Sequence, residues 1–68
     1  MKSFGQNLKS LREQCGISQQ ELADKIGTTQ PRVSEWENDK VEPTLYNIIR
    51  IVDTLRVSFE ELTEDVTA

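Results

Sequence analysis

The segment Ser18-Gln-Gln-Glu-Leu-Ala-Asp-Lys-Ile-Gly-Thr-Thr-Gln-Pro-Arg-Val-Ser-Glu-Trp-Glu-Asn38 decides how this chain folds. Ser18 followed by Glu21 has the spacing of a capping box, which opens a helix whose apolar face is Leu22, Ala23 and Ile26. Gly27 comes directly after that face, and only glycine takes the left-handed conformation of a helix end without strain. Thr28-Thr29 then offers a hydroxyl cap to another helix, with Val33 and Trp36 on its inner side. Pro31 falls in the first turn of this helix, where a missing N–H removes no intrahelical bond. Two short helices therefore meet at a tight turn. Ala23 is small where the second must cross close over the first.

Outward from this segment the pattern stays helical. Phe4, Leu8, Leu11 and Cys15 recur at steps of four, three and four on a first helix, with Ser3 and Gln6 as its capping box and Gly16 as its stop. On the other side, Asn38-Asp39-Lys40 closes the third helix and a loop runs to Pro43. Thr44 caps a fourth helix with the longest apolar stripe of the chain: Leu45, Ile48, Ile49, Val52 and Leu55. Ser58 and Glu61 open a short fifth helix carrying Phe59 and Leu62. Residues 64–68 are polar and are expected to fray. No strand pattern, long repeat or low-complexity segment interrupts this order. The fold class is all-α, a five-helix bundle in a single domain over residues 1–68.

Composition narrows the chemistry. A chain of 68 residues supports one small core. No apolar run reaches the ~18–20 residues needed to span a bilayer, and no signal-peptide block follows Met1, so a cytoplasmic protein is expected. There is no histidine, which removes the usual proton shuttle and every Ser-His or Cys-His arrangement. Cys15 is the single cysteine and can neither close an internal disulfide nor anchor zinc. Three scattered glycines make no phosphate-cradling loop. The reading is therefore not an enzyme, with no cofactor, metal site or small-molecule ligand. A net charge of −4 argues mildly against a polyanionic partner. The charge is uneven, however. Residues 1–40 hold six basic and six acidic side chains, whereas 41–68 hold two and six. Any contact with a polyanion belongs to the first two thirds.

Two helices of about eight residues joined by a turn with glycine at its start form a helix-turn-helix, here about residues 19–38. Leu22, Ile26, Val33 and Trp36 lock the pair against the first and fourth helices, leaving Gln30, Pro31, Arg32, Ser34 and Glu35 outside. The segment Ser18–Asn38 resembles the helix-turn-helix of the XRE family, of the lambdoid phage repressor and Cro type. The flanks resemble it too, in Leu11-Arg-Glu13, Pro43-Thr-Leu45 and Leu55-Arg-Val-Ser-Phe-Glu-Glu-Leu62, so the likeness covers residues 3–63.

The resemblance implies a regulator that binds a palindromic double-stranded DNA operator as a homodimer, with the third helix in the major groove. It implies a bacterial or phage-encoded protein, a repressor before an activator. Gln30, Pro31, Arg32, Ser34 and Glu35 stand where the family reads bases. Gln19, Thr29, Asn38, Lys40 and Thr44, with Lys9 on the first helix, stand where phosphates are met. Arg12 and Glu37 occupy positions that pair across helices one and three, an architectural role. Chemically, Gln30 can bond adenine at N6 and N7, and Arg32 can bond guanine at O6 and N7. Pro31 offers only apolar surface to a thymine methyl. Glu35 can accept from cytosine N4 or pair with Arg32 one turn earlier. Asp39 and Arg56 stand where the family has glycine after a helix, so both are expected in the left-handed region.

Structural roles explain most other residues. Trp36 is expected in the core, Cys15 as a half-buried thiol, and Glu60, Glu61, Glu64 and Asp65 as a solvated face. Val57, Phe59 and Leu62 are the candidate dimer contact. Only the outer face of helix three has no folding purpose evident in the sequence. The competing function on the same fold is an antitoxin or adaptor that docks a protein partner through its acidic last third.

Overall fold

A serine or threonine hydroxyl opens every helix in the computed structural model, which describes residues 2–67. Ser3 accepts from the Gln6 N–H at the start of α1 (Phe4–Gln14), and Ser18 from the Glu21 N–H at the start of α2 (Gln19–Ile26). Thr29 accepts from Arg32 N–H and opens α3 (Gln30–Glu37); Thr44 accepts from Asn47 N–H and opens α4 (Leu45–Leu55). Ser58 does the same through Glu61 for α5 (Phe59–Leu62). At Ser3, Ser18 and Ser58 the third helical side chain returns a bond to the cap's own N–H, completing three capping boxes. Its bonds to Ser18 hold the Glu21 carboxyl below the ordinary glutamate range. The all-α, five-helix architecture and the turn at Gly27 are those expected, with Gly27 at φ +77°.

Asp39 and Arg56 each sit at φ +58°, the left-handed conformation expected of them. Asp39 also uses its side chain, since its Oδ1 accepts from the Gly5 N–H at 2.9 Å. One residue thus ends α3 and satisfies an N-terminal amide of α1. This junction is tight. A Cβ on Gly5 would lie 2.6 Å from the Trp36 carbonyl oxygen and closer still to that of Glu37. Gly5 is there because the backbone of another helix occupies the place of its side chain.

The core is Leu8, Leu22, Ala23, Ile26, Val33, Trp36, Ile51, Leu55 and Leu62, with Trp36 only 1 % exposed. α3 packs on α1 and α2, α2 on α4, and α1 on α5. Three expectations need correction. The inner face of α4 is Ile51 and Leu55, flanked by half-buried Ile48 and Val52, while Leu45 and Ile49 are 68 % and 55 % exposed. Seven apolar residues in eleven positions allow more than one stripe, and pairing with α2 selects the one through Ile51. Leu62 is fully buried, so it closes the core and is no surface contact. Cys15 is exposed, because α1 ends at Gln14 and the thiol falls off the stripe, donating to the Leu55 carbonyl at 3.5 Å.

The end of the chain is tied rather than loose at residue 64. Asn7, 5 % exposed, donates both amide hydrogens, to the carbonyls of Leu62 and Glu64, at 2.9 Å each. Ala68, also expected to fray, lies outside the described residues. Lys2 and Thr67 line one open groove with Phe4, Val41, Ile48 and Phe59.

Two substitutions test these junctions by thermal denaturation. Gly5→Ala overpacks the α1–α3 contact and lowers stability by about 1–3 kcal/mol or more. Arg56→Gly relieves a left-handed side chain and raises it by about 1 kcal/mol. An unchanged melting temperature for Gly5→Ala would mean that the two helices part more easily than their spacing implies.

Candidate nucleic-acid interface

The inward residues of α3, Val33, Trp36 and Glu37, anchor it and fix which side faces out. Arg32 is exposed, with its Nε 3.5 Å from Glu35 Oε1 one turn on, a pairing expected from their spacing. Both side chains remain about half exposed, so this contact is worth well under 1 kcal/mol and mainly orients them. Pro31 is exposed and Ser34 half-buried. Asn38 turns back on the helix, its Nδ2 donating to the Ser34 carbonyl at 2.8 Å and to Ser34 Oγ at 3.4 Å. Thr29 and Thr44 spend a lone pair on capping. Each keeps an O–H that can donate to a phosphate oxygen. Lys9 and Lys40 are exposed cations, Lys9 on α1 and Lys40 in the loop after α3.

Behind this face lies a buried ion pair. Arg12 Nε donates to Glu37 Oε2 at 2.6 Å and Nη2 to Oε1 at 3.1 Å, while Nη1 donates to the Ile17 carbonyl at 2.7 Å. The side chains are 9 % and 2 % exposed. Hydrogen bonding to Glu37 raises the Arg12 pKa further above its ordinary value. The bidentate fork matches one guanidinium edge, Nε and Nη2, to both carboxylate oxygens, which an ammonium would not do.

The pair reaches the surface through two glutamines. Gln19 Nε2 donates to Glu37 Oε1 at 2.9 Å, and Gln19 Oε1 accepts from Gln30 Nε2 at 2.7 Å. Gln30 therefore has a structural partner, contrary to the reading that it serves no folding purpose. Sequence reasoning placed Gln19 and Gln30 on the interface separately. Their separation of eleven residues gives no local signal that they touch, and only the crossing angle of α2 and α3 brings them together.

The arrangement presents a polar, hydrogen-bonding strip along α3, which meets the start of α2 through Gln30 and Gln19 and is followed in the chain by the exposed Lys40. Val57 is half-buried and Phe59 is 54 % exposed, and both belong to the far end of the molecule's sequence, beyond α4. No cluster of metal-ligating side chains occurs among the described residues. No described helix is long and apolar enough to cross a membrane.

The chain belongs to the helix-turn-helix family, whose pattern it matches over residues 8–62. It is 39 % identical over 59 residues to the HTH-type transcriptional regulator YqaE of Bacillus subtilis, covering 87 % of this chain and 51 % of that protein. It is also 39 % identical over 51 residues to the antitoxin HipB of Escherichia coli, covering 75 % of this chain and 58 % of the relative. The chain thus spans little more than half the length of these relatives. A P22 c2 repressor, solved in complex with a synthetic operator, has the same fold, with a TM-score of 0.86 at 24 % identity. That likeness covers 91 % of this chain and 94 % of the repressor chain. The helix-turn-helix resemblance read from Ser18–Asn38 agrees with this family match, and the likeness to the P22 repressor is one of fold.

Removing one member of the buried pair strands the other. Arg12→Ala is expected to cost about 3–5 kcal/mol of stability in urea unfolding, because the Glu37 carboxylate is left in the interior without its cation. A loss below about 1 kcal/mol would mean that the pair is far better hydrated than its burial indicates.

Proposed function

We propose that the protein is a sequence-specific DNA-binding transcriptional regulator, acting as a repressor on a palindromic operator. The observation that carries this reading is the outward strip of α3, where Gln30, Pro31, Arg32, Ser34 and Glu35 stand on a helix held rigidly from behind. α3 enters the major groove. Gln30 reads adenine through N6 and N7, Arg32 reads guanine through O6 and N7, and Glu35 is held by Arg32 for a cytosine N4 or for no base at all. Pro31 and Ser34 line the same groove wall. Gln19, Thr29, Asn38, Lys40, Thr44 and Lys9 meet phosphates and set the register. The protein works in the cytoplasm, where its operator is.

With an overall charge of −4, one subunit has little phosphate attraction to spend. Binding by a two-fold pair doubles the contacts. Phe59 and Val57 are the residues we place at the dimer contact, Phe59 being a large apolar side chain 54 % exposed.

A second reading has an observation in its favour. Leu45, Tyr46 and Ile49 are 68 %, 72 % and 55 % exposed on α4, an apolar cluster that would suit a protein partner, and one relative is an antitoxin. In that case the protein is an adaptor, and its acidic last third contributes to docking.

Selection of duplexes from a random pool at two salt concentrations separates the two. The expected result is an inverted repeat with half-sites ~34–36 Å apart, about one helical turn. Gln30→Ala and Arg32→Ala should each cost about 1–3 kcal/mol and relax preference at one position. Lys40→Ala should weaken all sequences equally and reduce the salt slope by about 1. Featureless binding that disappears with salt would sink the regulator reading and favour the adaptor.

A further inference from the structure

We infer that Glu37, buried and remote from the groove, is a positioning residue for base recognition: it fixes which way round the Gln30 amide is presented. This rests on the reading of Gln30 as a base contact and adds a determinant of specificity to it.

The argument is one of hydrogen-bond direction. A carboxylate facing a guanidinium only accepts, and both oxygens of Glu37 are bonded by Arg12. Gln19 lies against Oε1 and must turn its NH2 inward, which it does at 2.9 Å. Its own carbonyl oxygen is thereby turned toward Gln30 and can only accept, so Gln30 must offer an N–H, which it does at 2.7 Å. A flipped Gln30 would set its oxygen against the oxygen of Gln19. The charge on Glu37 thus passes outward as an order of donors and acceptors, from Arg12 through Gln19 to Gln30.

With one N–H committed, Gln30 keeps its second N–H and its carbonyl oxygen as a donor–acceptor pair. Adenine shows the complement in the major groove, an N7 acceptor beside an N6 donor. Guanine shows N7 and O6, two acceptors, and the Gln30 oxygen is repelled by O6. A glutamine free to flip would meet guanine with its NH2 alone and discriminate poorly. The relay removes that option. The ion pair that holds α1 to α3 therefore also sets adenine over guanine at one position of each half-site.

The test uses duplexes recovered by selection, each paired with a copy carrying G·C for A·T at the position read by Gln30. Dissociation constants are measured for the wild type, Q30A, Q19M and E37Q. Q19M cuts the relay while leaving Arg12 and Glu37 paired, so it keeps the test valid even where E37Q unfolds. Loss of a Gln19 phosphate contact weakens both duplexes alike and cancels in the ratio. The expected result is an adenine-to-guanine ratio about tenfold smaller in Q19M, and smaller in folded E37Q, with the ratio abolished in Q30A. An undiminished ratio in Q19M, with Q30A abolishing it, overturns the relay and leaves the base contact standing. A ratio unaffected by Q30A overturns the base contact, and the relay with it.

Discussion

Glu37 is the point on which the molecule turns. Its side chain, 2 % exposed, takes two bonds from Arg12 on α1 and one from Gln19 on α2, while it belongs itself to α3. Its backbone carbonyl faces Gly5, where any larger residue would push α1 away. Three helices are thus registered against one residue by directional contacts that tolerate little displacement. Hydrophobic packing of Leu8, Leu22, Val33 and Trp36 supplies the larger driving force, but it is non-directional. A buried ion pair is a poor source of net stability and a good source of geometry, because its desolvation is compensated only in one arrangement.

What could be read from the sequence was local. Ser3, Ser18 and Ser58 each precede a glutamine or glutamate by three residues, and each turned out to be a complete capping box. Asp39 and Arg56 were expected at positive φ from their places after helices, and both are there. Expectations went astray where the answer depends on a partner far along the chain. Ile51 and Ile49 are equally apolar, and only the contact of α4 with α2 decides which is buried. Gly5 and Asn7 carry no sequence pattern, yet one admits the end of α3 and the other holds the end of α5 from 55 residues away. The outer face of α3 was legible as a surface without a core role. The relay behind it was not, since Gln19 looks like any polar first-turn residue.

Charge and shape are divided along the chain in a consistent way. The first forty residues balance their charges and carry the polar strip of α3. Residues 41–68 hold six acidic side chains against two basic ones, together with the exposed apolar side chains of α4 and α5. Two surfaces of different character result, one suited to hydrogen bonding and one to apolar contact. The helix-turn-helix family to which the chain belongs provides the frame. Any particular partner must be read from these side chains rather than from the frame.

Lys2 and Thr67 border the same groove, and Asn7 binds the backbone on either side of Thr63. Both ends of the described chain consequently border one groove. A unit with its ends together can be inserted into a longer polypeptide, or re-cut at another loop and joined end to end, with little disturbance of its interior.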